Sequence, residues 1–163
     1  MKLYIKQKVF SLGDKFTVKD EYGEDKYYVE SELFTIGKKL HVYDVNHNEV
    51  AFIRQKAFAF FPRFFVYKGT EMVAEIVKEI SFFSPKYRIE GLNWEISGDF
   101  FQHEYSILEN NNHHIADIHK EWLSWGDCYM LDIADYADEI MALAVILAID
   151  CVNAAEAAAA SNT

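Results

Sequence analysis

Residues Glu139–Asp150 read EIMALAVILAID, a stretch that is apolar on every side of a helix and that decides the fold of this chain. A helix without a polar face has to be surrounded, because it has no side to offer to water. The uninterrupted apolar run, Ile140–Ile149, has ten residues, which is about half of the roughly 20 residues that cross a bilayer. We therefore expect a buried core helix and not a transmembrane segment.

The residues before this helix have the pattern of short β-strands joined by turns. Twelve segments are bounded by turn residues: Leu3–Phe10, Lys15–Val18, Lys26–Glu30, Lys39–Asp44, Glu49–Phe58, Arg63–Tyr67, Glu71–Lys78, Lys86–Glu90, Trp94–Gly98, Phe100–Leu108, His114–Trp122 and Cys128–Ile133. Strands this short and evenly spaced are typical of antiparallel sandwiches and barrels. Because a curled sheet is the simplest structure that encloses a helix, we expect a mostly β fold, a closed antiparallel β-barrel of about twelve strands surrounding the C-terminal helix.

The acidic residues before the apolar run predict where the helix begins. Asp135 or Asp138 can cap its free backbone amides, and negative charge is favourable at this end of the helix dipole. A helix over residues 138–155 is roughly 27 Å long, comparable with the height of a barrel with tilted strands of about five to eight residues. We expect a single domain over residues 1–163, with strands at 3–133, the helix at 138–155 and a fraying tail at 156–163.

Composition and charge narrow the class of protein. Apolar residues make up 51% of the chain and aromatic residues 16%, which excludes a disordered chain. The net charge of -10 argues against general nucleic-acid binding. Two cysteines do not indicate a disulfide framework, and the alternating residues Met1–Lys8 lack the apolar core of a signal peptide. We therefore expect a cytoplasmic protein.

A weak internal repeat supports a barrel built from hairpins. Three segments share one pattern: an apolar residue, then Ala, any residue, Ile, and a Lys further on. They are Val50–Lys56, Val73–Lys78 and Ile115–Lys120, and each follows a strand and a tight turn. The Ala and the Ile are two residues apart, so they share one face of a strand. We interpret that face as the inner one, where Ala leaves room for a bulky neighbour. The alternative is a chance similarity between short β-patterns.

Six segments together resemble a known family: Gln7–Phe10 (QKVF), Val42–Asp44 (VYD), Val50–Lys56 (VAFIRQK), Gly91–Phe100 (GLNWEISGDF), Tyr129–Ile133 (YMLDI) and Ala148–Asp150 (AID). They resemble the LURP-one-related proteins, including their bacterial YxjI-like members, over nearly the whole chain. This resemblance implies a fold similar to the C-terminal domain of tubby proteins and to phospholipid scramblases. That fold is a closed barrel of about twelve strands threaded by a hydrophobic C-terminal helix. Tubby domains bind phosphoinositide headgroups through basic side chains on the barrel surface.

Basic residues around one predicted hairpin form the candidate binding site. They are Lys38, Lys39, Arg54, Lys56 and Arg63. Phosphate recognition requires convergent Lys and Arg side chains, because charge-assisted hydrogen bonds are stronger than neutral ones. We predict that these five residues gather into a patch for an anionic lipid headgroup. The alternative is that they are scattered, solvated strand charges.

Three other features have a structural and a functional interpretation. Asp117 and His119 share one face of a strand, close to His113 and His114. The spacing of the sequence indicates no third metal ligand, so we predict no metal site. The Phe-rich segments Phe58–Phe65 and Ser81–Pro85 are expected to be core strands interrupted by prolines, with membrane-inserting loops as the alternative. Asp150 is expected to meet water or cap a backbone amide at a barrel mouth, with a buried functional acid as the alternative.

The sequence contains no Gly-rich phosphate loop, nucleophile elbow, HExxH motif or paired cysteine motif. We therefore expect a non-enzymatic cytoplasmic binding or scaffold module without a cofactor. Its expected partner is an anionic lipid headgroup at a membrane surface or another protein. The alternative is a small-molecule carrier or an enzyme that uses a pocket at a barrel mouth.

Overall fold

The computed structural model describes residues 1–6, 15–33, 35–79, 86–99, 104–123 and 126–161. The elements in chain order are β1 (Lys2–Lys6), β2 (Lys15–Asp20), β3 (Asp25–Ser31), β4 (Lys39–Asp44), β5 (Glu49–Gln55), β6 (Arg63–Lys68), β7 (Glu71–Glu79), β8 (Lys86–Glu90), β9 (Trp94–Asp99), β10 (Glu104–Glu109), β11 (His114–Leu123), β12 (Gly126–Ile133) and α1 (Glu139–Ser161).

The strands form a closed antiparallel barrel in which each strand pairs with its neighbours in sequence. β1 closes the barrel on β12, with Lys2 opposite Asp132 and Lys6 opposite Cys128. The predicted twelve-strand barrel is therefore confirmed. β5 ends at Gln55, so the expected strand Glu49–Phe58 was three residues too long. The predicted strand residues 7–10 and 100–103, and the Phe-rich segment 81–85, lie outside the described residues.

Helix α1 fills the barrel. All residues from Met141 to Val152 are buried, and the side-chain oxygen of Asp138 accepts a hydrogen bond from the backbone N–H of Met141 at 3.1 Å. This confirms Asp138 as a cap of the kind that satisfies a free helix amide. The helix continues to Ser161, six residues beyond the predicted end at residue 155. Alanine has the highest helix propensity, and Glu156 forms an ion pair with Lys78 of β7.

The hydropathy of α1 is explained by the barrel around it. The helix is long and apolar enough to cross a membrane, with a mean hydropathy of 1.9, but 67% of that window is buried inside the protein. Leu143, Ile146 and Ile149 are 0–1% exposed and are packed in the same core as the inward residues of the strands. The expected core helix is confirmed.

The internal repeat corresponds to three hairpins with the same irregularity. In each repeat the Ala and the Ile are both buried, as expected for inward-facing residues two apart. Each Ala pairs with a buried residue of the preceding strand, and the register shifts directly after that pair: Val42 with Ala51, Val66 with Ala74 and Ile107 with Ala116. These β-bulges increase local strand twist, which helps to curl the sheet around the helix.

The two ends of the barrel differ in charge because the strands alternate in direction. At the mouth where α1 begins, the charged strand-end residues are mostly acidic: Asp20, Asp25, Asp44, Glu49, Glu71, Glu90 and Glu109, with Lys2 and Lys68. At the other mouth they are mostly basic: Lys6, Lys15, Lys39, Arg63 and Lys86, with Glu79, Asp99 and Glu104. We call these ends the acidic mouth and the basic mouth. The ends of the described strands therefore differ in charge between the two mouths.

Candidate functional site

The five basic residues predicted to form a patch all lie near the basic mouth, on or beside the adjoining strands β4, β5 and β6. Lys39 pairs with Arg54 across β4 and β5. The backbone N–H of Lys56 donates to the carbonyl of Arg63 at 2.9 Å, and the N–H of Gln55 donates to the carbonyl of Lys38 at 2.8 Å. The fold therefore places these residues together on one part of the rim.

Gln55 ties the β3–β4 connection to the end of β5. Its side-chain oxygen Oε1 accepts a hydrogen bond from the backbone N–H of Lys38 at 3.0 Å. Gly37 has a φ of +81°, and a Cβ at this position would lie 3.1 Å from the Gln55 carbonyl oxygen. Both the left-handed backbone and the close approach require glycine here. The position of Lys38 on the rim is thus set by contacts between two neighbouring loops.

Three of the five basic side chains have partners on the outer wall of the barrel. Lys39 pairs with Glu32 at 2.9 Å, and Arg63 pairs with Glu75 at 2.8 Å. Arg54 lies over aromatic rings, with its guanidinium carbon 5.5 Å from the ring centre of Tyr67, and donates a hydrogen bond to the Tyr67 hydroxyl at 2.9 Å. The charges of Lys39 and Arg63 are therefore partly neutralised, which weakens their contribution to anion binding.

His41 shares the carboxylate of Glu32 with Lys39. Its ring nitrogens contact Glu49 at 2.6 Å and Glu32 at 3.0 Å. Hydrogen bonds from His41 and then Lys39 lower the pKa of Glu32 below its usual value. Burial lowers the pKa of His41, but the hydrogen bonds to Glu49 and Glu32 outweigh burial, so the net shift is upward. Glu32 therefore stays ionised and holds Lys39 on the wall.

Lys38 and Lys56 differ from Lys39 and Arg63. Within the described part of the chain, no carboxylate lies within ion-pair distance of either side chain, and Lys56 is exposed. Lys38 also lies close enough to the buried part of α1 for its charge to affect the thiol of Cys151. Burial raises the pKa of the Cys151 thiol to about 12, and the positive charge of Lys38 acts against that rise. Among the described residues, Lys38 and Lys56 are cations of this part of the rim without a carboxylate partner, as is Arg54, whose contacts are with the uncharged side chains of Phe65 and Tyr67.

The loop between β5 and β6 exposes aromatic residues beside these lysines. Phe58 is 95% exposed and Phe60 is 94% exposed, whereas Phe64, in the following strand, is 1% exposed. The expectation that Phe58–Phe65 is wholly a core segment was therefore wrong for the loop and correct for Phe64. The sequence signal was Pro62, which ends the connection before β6 begins at Arg63.

The β3–β4 connection adds two exposed aliphatic residues at the same mouth. Leu33 is 55% exposed and Ile36 is 72% exposed. Sequence reasoning missed both, because single apolar residues in a loop are common on protein surfaces. Together with Phe58 and Phe60 they form what we call the apolar rim: Leu33, Ile36, Phe58 and Phe60. The basic mouth thus combines exposed apolar side chains with Lys38 and Lys56, for which the described residues supply no carboxylate partner.

Asp150 lies inside the barrel and is 3% exposed. The expectation that it meets water was wrong, because α1 continues beyond it and keeps it enclosed. Burial, followed by the charge of Asp150, raises the pKa of Tyr105 well above its usual value. Burial and the charges of Glu156 and Asp150 raise the pKa of Tyr87 in the same way. Both tyrosine hydroxyls therefore remain protonated at neutral pH.

The histidines near β11 contact separate acidic residues. His114 lies 2.8 Å from Asp117, and His119 lies 2.9 Å from Glu104. The Asp117 carboxylate also accepts a hydrogen bond from Ser106 at 2.5 Å. Among the residues that the structure describes, groups of three or more His, Cys, Asp or Glu side chains suited to a metal ion are absent.

A shallow groove of about 220 Å³ runs along the outer wall of β8, β9 and β10. Its lining includes Lys86, Arg88, Glu95 and Asn110. Its volume is below the range of about 300–1,000 Å³ that is usual for small-molecule sites. The groove lies on the wall, so a carrier or enzyme pocket at a barrel mouth stays a prediction.

Comparison with known proteins gives three matches. The family model described as LURP-one-related matches residues 1–150. The chain is 35% identical over 152 residues to the uncharacterised protein YxjI of Bacillus subtilis (strain 168), covering 93% of each chain. A solved structure of a protein from Arabidopsis thaliana superposes with a TM-score of 0.66 at 14% identity, over 93% of this chain and 90% of the plant chain.

Proposed function

The chain belongs to the LURP-one-related family, and from that premise we propose that it is a non-enzymatic, cytoplasmic module that docks on anionic phospholipid surfaces through its basic mouth. The observation that carries the proposal is the pair of lysines on the rim, Lys38 and Lys56. Neither has a carboxylate partner within the described residues, so the exposed Lys56 and the half-buried Lys38 can offer their charges to lipid phosphates.

The polarity of the barrel favours one orientation on such a surface. The acidic mouth is repelled by anionic lipids, and the basic mouth is attracted. Basic residues near an anionic leaflet contribute about 1 kcal/mol each, and the effect falls off within a Debye length of about 8 Å at physiological salt. Because the net charge of -10 opposes association at longer range, the predicted binding is weak, local and sensitive to salt.

Reversal of the two lysines tests the proposal. The variant K38E/K56E should bind anionic vesicles at least about 30-fold more weakly than the unmodified protein, since two favourable contacts of about 1 kcal/mol are lost and replaced by repulsion. The measurement is co-sedimentation with vesicles of phosphatidylcholine and phosphatidylserine at about 0.1 M salt and at about 1 M salt, where the Debye length falls to about 3 Å.

A matched control changes the same number of charges elsewhere. Lys2 and Lys68 lie at the acidic mouth, at the opposite end of the barrel, so K2E/K68E should bind nearly as well as the unmodified protein. Soluble glycerophosphoserine in excess distinguishes a lipid surface from a free phosphate ligand, because a free ligand would compete fully. Equal loss in both double variants, or binding indifferent to salt and to K38E/K56E, contradicts the proposal.

A further inference from the structure

The loop between β5 and β6 carries exposed apolar side chains, and attraction between charges does not explain their exposure. We infer that this loop, residues 56–62, inserts Phe58 and Phe60 into the acyl layer of the membrane to which the basic mouth docks. The inference rests on the proposed function and deepens it, because it assigns the protein a second and salt-independent membrane contact.

The exposure of these two rings is the first observation. Phe58 and Phe60 are nearly fully exposed, although full burial of a Phe side chain is favourable by more than tenfold in an equilibrium constant. Phe61 is less exposed and packs edge-to-face on Phe60, with ring centres 4.9 Å apart. A loop that presents two large apolar rings to water is typical of a surface that meets an apolar partner.

The backbone of the loop adopts an unfavourable conformation at one of the two exposed phenylalanines. Phe58 has a φ of +56°, a left-handed conformation that is uncommon for a bulky residue. Unfavourable backbone conformations of this kind persist where surrounding structure holds them, and they cluster at functional segments. The surrounding structure here is the pairing of Lys56 with Arg63, which closes the base of the loop.

The neighbouring loop widens the apolar surface. Ile36 and Leu33 are exposed in the β3–β4 connection, which Gln55 joins to the base of the β5–β6 loop through its hydrogen bond to Lys38. The apolar rim therefore comes from two loops that are tied together beneath it. An apolar surface flanked by lysines matches the layering of a bilayer interface, where apolar groups enter the acyl region and cations stay among the phosphates.

Charge complementarity favours a membrane over a second copy of this chain. In a symmetric dimer through this face, Lys38 and Lys56 of one copy would approach the same two lysines of the other copy, and these like charges repel. An anionic membrane instead supplies the opposite charge around the inserted rings. Stable peripheral binding usually requires two such signals, one apolar and one electrostatic, and the basic mouth presents both.

The experiment measures the vesicle binding that remains when salt screens the electrostatic contact. At about 1 M salt the unmodified protein should keep residual binding to anionic vesicles, and F58S/F60S should lose at least about tenfold in partitioning, since each buried Phe contributes more than this factor. The matched control Y22S/V45S removes two exposed apolar side chains at the acidic mouth and should leave partitioning unchanged.

A fluorescent label reports insertion directly. Both native cysteines are buried, so a polarity-sensitive dye can be placed at A57C in the loop, with N46C at the acidic mouth as the reference. We expect vesicles to shift the emission of the A57C label to the blue and to leave the N46C label unchanged.

The outcomes separate the inference from the proposed function. Salt-sensitive binding that depends on Lys38 and Lys56, with an unshifted A57C label and no effect of F58S/F60S, overturns insertion and leaves the docking function intact. Absence of vesicle binding by the unmodified protein overturns both. A dimer in solution that dissociates in F58S/F60S, without vesicle binding, assigns the apolar rim to a second copy and also overturns the inference.

Discussion

Replacement of Ile146 by Asp should remove most of the stability of this protein. Ile146 is 1% exposed in the middle of α1 and is enclosed by the barrel on all sides. An isolated carboxylate there loses its hydration and finds no compensating charge, which costs several kcal/mol. A domain of this kind has only about 5–15 kcal/mol of unfolding free energy, so we expect an unfolded or aggregated chain.

The measurement is urea denaturation followed by circular dichroism, with I146V as the matched control. Removal of one methylene should cost about 0.5–1.5 kcal/mol and leave a cooperative transition at a lower midpoint. A soluble I146D that unfolds at the same urea concentration as the unmodified protein would show that this face of α1 is not enclosed.

The second large effect is expected at Phe64, four residues after the exposed Phe60. Phe64 is among the largest fully buried side chains and faces α1 from β6. Replacement of a buried Phe by Ala typically costs about 3–5 kcal/mol, because the transfer free energy is lost and a cavity remains. F64A should therefore lower the unfolding free energy by this amount in a denaturant titration.

F60A is the matched control for this prediction, since it removes the same atoms from an exposed position. Surface substitutions of this kind usually stay within about 0.5 kcal/mol. Comparable destabilisation by F60A and F64A would mean that the β5–β6 loop is packed into the core, and the assignment of the apolar rim would then be wrong.

The barrel and its helix could be predicted because their signals are local. Turn residues bound each strand, inward residues recur every second position, and the all-apolar segment of α1 has to be enclosed. The end of the helix was missed because Ala154–Ser161 contains no large apolar residue that would mark a buried face. Helix propensity and a long-range ion pair between Glu156 and Lys78 extend it.

The position of the candidate site could be predicted from the sequence, but the ion pairs of its basic side chains could not. Sequence order places Lys38 and Lys56 at loops on one mouth, because consecutive antiparallel strands alternate in direction. The acids that neutralise Lys39 and Arg63 are Glu32, which directly follows β3, and Glu75 on β7, and such pairings depend on register. Composition alone could not show which lysines remain unpaired.

The apolar rim was missed for a related physical reason. Apolar residues are usually buried, so a run such as Phe58–Phe61 is normally assigned to the core. The rule fails where an exposed apolar surface serves binding. The distinguishing fact is that β5 stops at Gln55, and this boundary is set by pairing with β4 and β6.

The most direct test of the enclosed helix is the reactivity of Cys151. This residue lies in α1 and is 1% exposed, and burial raises the pKa of its thiol to about 12, so little reactive thiolate is present at neutral pH. Alkylation followed by mass spectrometry, with N46C as an exposed internal reference, should label Cys151 only as the protein unfolds in denaturant. Labelling of Cys151 in the native protein at the rate of the reference would contradict the account.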